Sequence, residues 1–367
     1  MLQRLYVHNF RCLENFEFSL KEMSSALLIG RNGAGKSTIA SSLELFQSIG
    51  RGANRVGRLI RPKDFSQGRS NIPIRFEIEV LLEDTLYKYV LALELPEGFR
   101  ELRVFEEQLL VSGDPIYSRQ EAKVTLSSRS KETNFLVDWH LIALPVIQEQ
   151  SETDPIRIFR TWLSRMIILA PIPGLINGES SGGTLEPRRD GSNFGEWFSG
   201  LLITKPAAYG EIYKYLESVM PDIGEIQNES VGKEAKNMIV KFEKNDSNLT
   251  IEFNDLSDGE KCFFICAVVL AANKHYGPLF CFWDEPDNYL SLSEVGHFVV
   301  SLRRSFRNSG QFLATSHNEE SIRKFSSENT FLLDRKSHLE PTLIRLLSEV
   351  PTSGDLIDDL ILGDAEL

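Results

Sequence analysis

The sequence has few cysteines, and their placement excludes two kinds of protein. Only four cysteines occur in 367 residues, and all four fall in apolar or periodic segments. They lack the close paired spacing of a zinc site and the density of a disulfide scaffold. We therefore expect reduced thiols in the hydrophobic core at Cys12, Cys262, Cys266 and Cys281.

Long apolar runs and an excess of positive charge are also missing. The opening MLQRLYVHNFRC lacks an apolar core of signal-peptide length, and no later run approaches the roughly 20 apolar residues that span a bilayer. We expect a cytoplasmic protein with no membrane partner. The net charge of -12 argues against a surface that grips nucleic acid everywhere.

One local exception to the acidic balance is the stretch RGANRVGRLIRPKDFSQGR, residues 51–69. A basic surface of this kind can bind the phosphate backbone of DNA, although charged runs more often form a solvated loop. Both interpretations remain open from the sequence. The candidate nucleic-acid contacts are Arg51, Arg55, Arg58, Arg61, Lys63 and Arg69.

The pattern of apolar residues predicts an α/β protein. A short hairpin opens the chain, SALLI (residues 25–29) is typical of a buried strand, and a helix follows a glycine-rich turn. From Ile74 onward apolar and polar residues alternate strictly, which predicts an antiparallel sheet with one face exposed to solvent. After residue 260, helices alternate with the strands LFCFW, QFLATS and NTFLL, which favours a mostly parallel core sheet.

These changes of pattern predict four regions. Residues 1–148 form the N-terminal part of a main α/β lobe, and residues 149–250 form an inserted helical lobe punctuated by PIPG, SSGG and DGSN. Residues 251–345 complete the main lobe. Residues 346–367 form an acidic tail with apolar residues at helical spacing, which either packs on its own domain or docks a separate effector.

The stretch GRNGAGKST, residues 30–38, matches the phosphate-binding P-loop. Its glycines let backbone amides converge on phosphate oxygens, and the helix that follows presents its N-terminus to the same anion. Lys36 is expected to reach the β- and γ-phosphates, and the Ser37 hydroxyl to hold Mg²⁺. The predicted ATP contacts from this loop are Asn32, Gly33, Ala34, Gly35, Lys36, Ser37 and Thr38.

Two carboxylates end the apolar strand in LFCFWDEP. Asp284, at the carboxyl end of that strand, is placed to order the water shell of the metal, because ligands of open α/β sheets bind at that edge. Glu285 is then the candidate general base that orients the attacking water. His317 follows the next strand and could contact the γ-phosphate, although a lone histidine is more often structural.

The stretch LSDGEK, residues 256–261, predicts a capped helix start. Ser257 would accept a hydrogen bond from the first turn, and Glu260 would reach back to the Ser257 amide. This interpretation requires nothing outside the chain.

The order P-loop, LSDGE, DEP and SH resembles the ATP-binding cassette (ABC) ATPases, and most of all their RecF, SMC and OLD branch, which includes OLD-like ATPases of the AAA family. VHNFRCLENFEF resembles the first hairpin of that branch, and EPRRDGSNFGEWFSGLL resembles its helical lobe. The resemblance implies a P-loop fold with an antiparallel β subdomain and a helical lobe. It also implies that Arg11 lies near the nucleotide, that ATP and Mg²⁺ are the cofactors, and that Lys36, Glu285 and His317 are catalytic.

In this family two heads sandwich two ATP molecules, so the resemblance gives LSDGEK a second role. Ser257, Asp258, Gly259 and Glu260 would contact ATP held by the partner head, which implies a homodimer or larger oligomer. Two departures are visible. DNYLS replaces the Leu-His-Pro step of OLD-like relatives, and the glutamine loop cannot be located. No heptad run separates the P-loop from LSDGEK, so we expect a head without the long arm of SMC proteins.

The resemblance leads to one functional hypothesis and one alternative. The leading hypothesis is an ATPase, slow or partner-regulated, that senses a trigger and controls a separate nuclease or toxin, as in two-gene anti-phage systems. It depends on the expectation that no nuclease domain follows the last predicted strand. The alternative is a RecF-like DNA-binding ATPase of repair or replication.

Overall fold

The computed structural model of the protein describes residues 1–128, 131–231 and 235–350. The chain divides into two compact units. The first unit is built from Met1–Met23, Ile29–Met166 and the described residues from Phe331 onward, and the second from Ser24–Leu28 and Ile167–Thr330.

The described residues form eight α-helices and seventeen β-strands. The helices are α1 (Lys36–Gly50), α2 (Val56–Leu59), α3 (Pro155–Arg165), α4 (Phe194–Thr204), α5 (Ala208–Val219), α6 (Asp258–Tyr276), α7 (Leu292–Phe306) and α8 (Glu319–Lys324). The strands are β1 (Leu2–His8), β2 (Phe16–Ser19), β3 (Ser25–Ile29), β4 (Ile74–Leu82), β5 (Thr85–Glu94), β6 (Arg103–Val111), β7 (Asp114–Gln120), β8 (Lys123–Ser128), β9 (Lys131–Leu136), β10 (Ile167–Leu169), β11 (Ile223–Val231), β12 (Ala235–Lys244), β13 (Ser247–Glu252), β14 (Phe280–Trp283), β15 (Gln311–Thr315), β16 (Thr330–Asp334) and β17 (Leu343–Leu346).

The first unit is organised by an eight-stranded antiparallel sheet in the order β2-β1-β4-β5-β6-β7-β8-β9. Ile74, Phe76, Ile78 and Val80 of β4 are buried, as the alternating pattern predicts, whereas in β5 every residue from Tyr89 to Leu93 is buried. Phe46 of α1 lies edge-on to Phe76 and Tyr89, and Phe159 of α3 packs against Tyr89. The helix that follows the P-loop is therefore seated on the apolar face of this sheet.

The opposite face of the sheet carries an ion-pair network around Glu77. Its carboxylate contacts Arg4 at 2.9 Å, Arg75 at 2.7 Å and Lys88 at 3.1 Å. Burial alone would raise the pKa of Glu77, but hydrogen bonds from these three cations outweigh burial and lower the pKa to about 2. Glu77 therefore remains ionised, and this face stays polar.

A second acidic residue of the sheet, Glu107, is fully buried. Its carboxylate accepts hydrogen bonds from the Tyr89 and Tyr117 hydroxyls at 3.0 and 2.8 Å and from the Ala143 amide at 2.8 Å. The Arg119 guanidinium lies 3.6 Å away, and both charged side chains are 0% exposed. This network fixes the segment after β9 to the sheet.

The second unit contains four parallel neighbouring strands in the order β10-β14-β15-β3. Helix α6 supplies much of the core, because its residues are buried on nearly every side. Trp283, at the end of β14, packs edge-on against Phe298 of α7 with ring centroids 5.4 Å apart.

Most predicted elements are present. SALLI forms β3, and LFCFW, QFLATS and NTFLL contain β14, β15 and β16. The four cysteines are reduced and buried, and burial raises the pKa of the Cys262 thiol to about 12. The tail beyond residue 350, including the apolar residues proposed for docking, lies outside the described residues.

One element prediction is wrong. Residues 149–250 contain helices α3, α4 and α5, but the described residues from Ile223 to Glu252 form the antiparallel sheet β11-β12-β13 rather than helix. Only Met238 and Val240 give β12 a clear buried alternation, and β13 is almost wholly exposed. A strand without a buried face leaves little period-two signal in the sequence. Within the described ranges, the search for a helix long and apolar enough to cross a membrane finds none.

We predict that Glu107→Ala lowers the free energy of unfolding by about 3–5 kcal/mol, because it leaves the Arg119 charge buried without its counterion. Urea denaturation followed by circular dichroism would measure this loss. The matched control is Glu121→Ala, in the turn between β7 and β8. It removes an ion pair with Arg103 at 3.4 Å, and the Glu121 side chain is 55% exposed. The control should cost less than about 1 kcal/mol. Equal losses in the two variants would contradict the role assigned to the buried pair.

Candidate functional site

The P-loop connects β3 to α1 within residues 30–38. Gly35 has a φ of +109°, and a Cβ at this position would lie 2.7 Å from the Thr342 Oγ1 atom. A larger residue would therefore meet both backbone strain and a steric clash. Ala34 is buried below the loop, while Asn32 and Gly33 are exposed. The loop thus presents its outer residues to solvent on a tightly packed base.

Polar side chains stand at the start of α1, and their contacts with phosphate and Mg²⁺ stay predictions. The Lys36 ammonium donates to the Gly30 carbonyl oxygen at 2.6 Å and lies 3.4 Å from the Arg31 carbonyl oxygen. This position keeps the positive charge inside the loop, with the side chain largely buried. Ser37 is exposed, and Thr38 accepts a weak hydrogen bond from the Cys12 thiol, whose sulfur lies 3.5 Å from Oγ1.

Arg11 belongs to the same unit and lies beside α1. Its Nε donates to Asp64 at 2.9 Å, and its Nη1 donates to the Ser41 hydroxyl at 3.1 Å. The side chain remains 45% exposed. Arg11 is thus held next to the helix that begins at the P-loop, and its contact with ATP stays a prediction.

In the second unit the acidic pair follows β14. The Asp284 amide donates to the Leu169 carbonyl oxygen at 2.7 Å, which extends the pairing of β14 with β10. Thr315, the last residue of neighbouring β15, donates its hydroxyl to Asp284 Oδ1 at 2.7 Å and accepts from the Glu285 amide at 2.8 Å. One buried hydroxyl therefore fixes both acidic residues.

Glu285 has a backbone conformation that is rare for a residue with a side chain. Its φ is +49°, in the left-handed region. The Asn288 side-chain amide donates from Nδ2 to Glu285 Oε2 at 2.5 Å, and His317 Nε2 lies 3.5 Å from Glu285 Oε1. Strained residues of this kind cluster at functional sites. The structure brings Asp284, Glu285 and His317 together, as expected of strands that end at one edge.

Sequence reasoning missed three residues around this pair. Thr315 carries the shared hydroxyl, and Arg189 Nη2 lies 3.6 Å from Asp284 Oδ2. Asp287 is buried and accepts from the Ser316 hydroxyl at 2.6 Å and from the Ser321 hydroxyl. Burial raises the pKa of Asp287, although the two serine hydrogen bonds act in the opposite direction. Only the position of Thr315, at the end of an apolar strand, gave a signal in the sequence.

The LSDGEK stretch forms the predicted capping box at the start of α6. Glu260 Oε2 accepts from the Ser257 amide at 2.8 Å, and Ser257 Oγ accepts from the Glu260 amide at 3.3 Å. Lys261 is buried and donates to the Asn254 carbonyl oxygen at 2.8 Å. Ser257 and Asp258 are exposed, so this helix start is capped and still accessible.

A neighbouring loop flanks the same helix start. A Cβ added at Gly259 would lie 3.1 Å from the Tyr289 carbonyl oxygen, so a side chain there would press on the segment after the acidic pair. This segment and the LSDGEK stretch are therefore in close contact within the second unit.

The basic stretch does not form a uniform cationic surface. Arg51 donates to the Ser164 carbonyl oxygen at 3.2 Å, Arg55 pairs with Glu101 at 3.3 Å, and Arg69 pairs with Glu14. These three arginines stabilise the first unit itself. Exposed positions remain at Arg58, Arg61 and Lys63, and their contact with nucleic acid stays a prediction.

The oxygen donors of the chain fit Mg²⁺ only together with a nucleotide. Among the described residues, no group of three or more His, Cys, Asp or Glu side chains could hold a metal ion. Mg²⁺ usually keeps several waters and binds one or two protein oxygens together with substrate phosphates. The Asp284 carboxylate and the Ser37 hydroxyl are hard oxygen donors of this type.

Comparisons with known proteins agree with the motifs. A family described as AAA ATPase domain matches residues 1–137. An SMC head bound to the C-winged helix domain of ScpA shares the fold at a TM-score of 0.60 and 14% identity, covering 95% of this chain and 99% of that chain. A comparison with curated proteins finds no match.

Two further SMC heads are similar in structure. One has an extended coiled coil and is bound to the C-terminal domain of ScpA derived from Pyrococcus furiosus, with a TM-score of 0.53, 13% identity and coverage of 99% of this chain and 98% of that chain. The SMC head from Thermotoga maritima has a TM-score of 0.48, 12% identity and coverage of 94% and 98%.

The chain therefore has the α/β P-loop fold of SMC heads, and the match of its residues 1–137 to AAA ATPase domains supports an ATP-binding ATPase.

Proposed function

We propose that the protein binds and hydrolyses ATP as a head that assembles with a second copy of itself. The cluster of Asp284, Glu285, Thr315 and His317 carries this proposal, because it joins a metal-type carboxylate, a candidate base and a phosphate-sensing group. The P-loop amides and Lys36 bind the phosphates. Mg²⁺, when bound with the nucleotide, neutralises charge on the phosphate oxygens, and Ser37 and Asp284 are the residues that hold it.

Glu285 acts as the general base that orients and deprotonates the attacking water. Its backbone is left-handed, and the Asn288 and His317 side chains contact one carboxylate oxygen each. His317 contacts the γ-phosphate and links its presence to the state of Glu285. Thr315 acts through Asp284 and Glu285 by fixing their positions.

Assembly uses the exposed start of α6. A helix N-terminus has four amides without intrahelical acceptors, and Ser257 Oγ accepts from one of them, that of Glu260. The remaining amides and the positive end of the helix dipole favour an anion. We propose that Ser257, Asp258, Gly259 and Glu260 contact the γ-phosphate held by the partner head, so that capping and assembly use the same turn.

The cellular role we propose is a sensor or scaffold that controls a separate effector, a nuclease or toxin, in anti-phage defence. The fold supports partner control in general, because an SMC head of the same fold is bound to a domain of ScpA. The DNA-repair alternative receives less support. Arg51, Arg55 and Arg69, half of its candidate contacts, are engaged within the first unit.

We predict that Glu285→Gln becomes dimeric or larger when ATP and Mg²⁺ are added, because ATP binds but is hydrolysed slowly. Adding Ser257→Asp should abolish this assembly, since aspartate still caps the helix but repels the phosphate. Sedimentation velocity would measure assembly, and binding of a fluorescent ATP analogue would show that each head still binds nucleotide.

Asp154→Ala is the matched control, because Asp154 caps α3 through its bond to the Ile156 amide at 2.9 Å. It should lose stability, typically ~1 kcal/mol, without loss of assembly. A Glu285→Gln protein that stays monomeric with ATP would refute head-to-head assembly. Assembly that survives Ser257→Asp would limit Ser257 to its capping role.

We also predict that Thr315→Val slows ATP hydrolysis about 10- to 100-fold, the usual cost of losing a residue that orients metal and catalytic groups. Valine has nearly the same shape but lacks the hydroxyl that bonds Asp284 and Glu285. Thr315→Ser keeps the hydroxyl and should retain most of the activity. Steady-state phosphate release with thermal melting as a folding control would test this. Equal activity in the valine and serine variants would contradict the positioning role.

A further inference from the structure

The turn EPRRDGSN, residues 186–193, has a fixed conformation. Asn193 is buried, and its side chain accepts from the Arg188 amide at 2.7 Å and donates to the Glu186 carbonyl oxygen at 3.1 Å. Asp190 Oδ1 accepts from the Ser192 amide at 3.0 Å. Such bonds between side chains and nearby backbone hold a turn without any sheet or helix. The position of Arg189 within this turn is therefore well determined.

Backbone hydrogen bonds place this turn next to Asp284 in the second unit. The Ala170 amide donates to the Arg189 carbonyl oxygen at 2.8 Å, directly after β10. The preceding residue, Leu169, accepts from the Asp284 amide at 2.7 Å. Leu169 thus bonds to the Asp284 backbone, and the next residue, Ala170, bonds to the Arg189 backbone. These two bonds explain why Asp284 and Arg189 meet although they are far apart in sequence.

Arg189 and Thr315 each contact a different oxygen of the Asp284 carboxylate. Arg189 Nη2 lies 3.6 Å from Oδ2, and Thr315 Oγ1 lies 2.7 Å from Oδ1. The Arg189 side chain is 28% exposed and that of Asp284 is 12% exposed. Solvent therefore partly screens the attraction between the two charges. The arginine side chain is also partly exposed, so it has room to move toward solvent.

We propose that Arg189 competes with Mg²⁺ for the Asp284 carboxylate and so sets the Mg²⁺ concentration at which the head binds nucleotide. This inference rests on the proposed function, which makes Asp284 a metal residue. A cation that already neutralises a carboxylate lowers its attraction for a second cation, and like charges at this distance repel. Arg189 would therefore leave the Asp284 carboxylate when that carboxylate holds Mg²⁺, and it would pair with Asp284 again in the absence of Mg²⁺.

The test measures binding of a fluorescent, non-hydrolysable ATP analogue by anisotropy while free Mg²⁺ is varied. Arg189→Ala should lower the Mg²⁺ midpoint by roughly 2- to 5-fold, because a partly exposed ion pair contributes little free energy. Binding of the analogue in EDTA should be unchanged. Arg189→Met, which keeps the apolar stem, should behave like the alanine variant, and Arg189→Lys should stay close to the wild type.

Arg188→Ala is the matched control, because Arg188 lies in the same turn, is exposed and contacts Ser192 Oγ at 3.5 Å rather than the acidic pair. It should leave the midpoint unchanged. A midpoint that is unchanged or raised in both Arg189→Ala and Arg189→Met would overturn the competition. Loss of analogue binding in EDTA would also overturn it, since it would make Arg189 a phosphate ligand.

Failure of the proposed function has a different signature. If the wild type shows no Mg²⁺-dependent binding, or if Asp284→Asn leaves the Mg²⁺ midpoint unchanged, the assignment of Asp284 as a metal residue is wrong. If the wild type depends on Mg²⁺ and Asp284→Asn changes the midpoint while the Arg189 variants do not, only the competition is wrong.

Discussion

Parallel pairing of β14, β15 and β3 is the constraint on which the candidate site depends. Parallel strands have their carboxyl ends at the same edge, so the residues at those ends meet whatever the sequence distance between them. Asp284 and Glu285 follow β14, and the residues 315–317 end and follow β15. Backbone hydrogen bonds between apolar strands therefore select which polar residues become neighbours.

A second layer of polar contacts turns this neighbourhood into a defined geometry. The strands alone would leave the Asp284 and Glu285 side chains free to choose among rotamers, and ordering them costs entropy. The Thr315 hydroxyl donates to the Asp284 carboxylate, which restrains that side chain, and accepts from the Glu285 backbone amide, which fixes the backbone from which the Glu285 side chain extends. Because this hydroxyl is buried, its bonds are not exchanged for bonds to water. The positions of Asp284 and Glu285 thus depend on Thr315.

The sequence was most informative where a local pattern has a local physical cause. The P-loop, the capping box of Ser257 and Glu260, and the apolar strands β3 and β14 each need only residues close in sequence, and all are present as predicted. It was least informative where contacts join distant segments. Arg189 gave no signal, because its meeting with Asp284 depends on pairing between β10, β14 and a loop. The strands of residues 223–252 were missed because an exposed strand buries no apolar face.

The two capping boxes of the second unit show why a motif alone does not identify a site. Ser291 and Glu294 cap α7 with the same reciprocal bonds that Ser257 and Glu260 make at α6. The two helices differ in how their bodies are buried. Helix α7 buries one stripe and exposes the other, whereas the body of α6 is buried almost all round, so its two ends are the parts that remain accessible. A buried helix directs the amides of its first turn outward from a rigid base, and a rigid base is what recognition of a phosphate on another molecule requires.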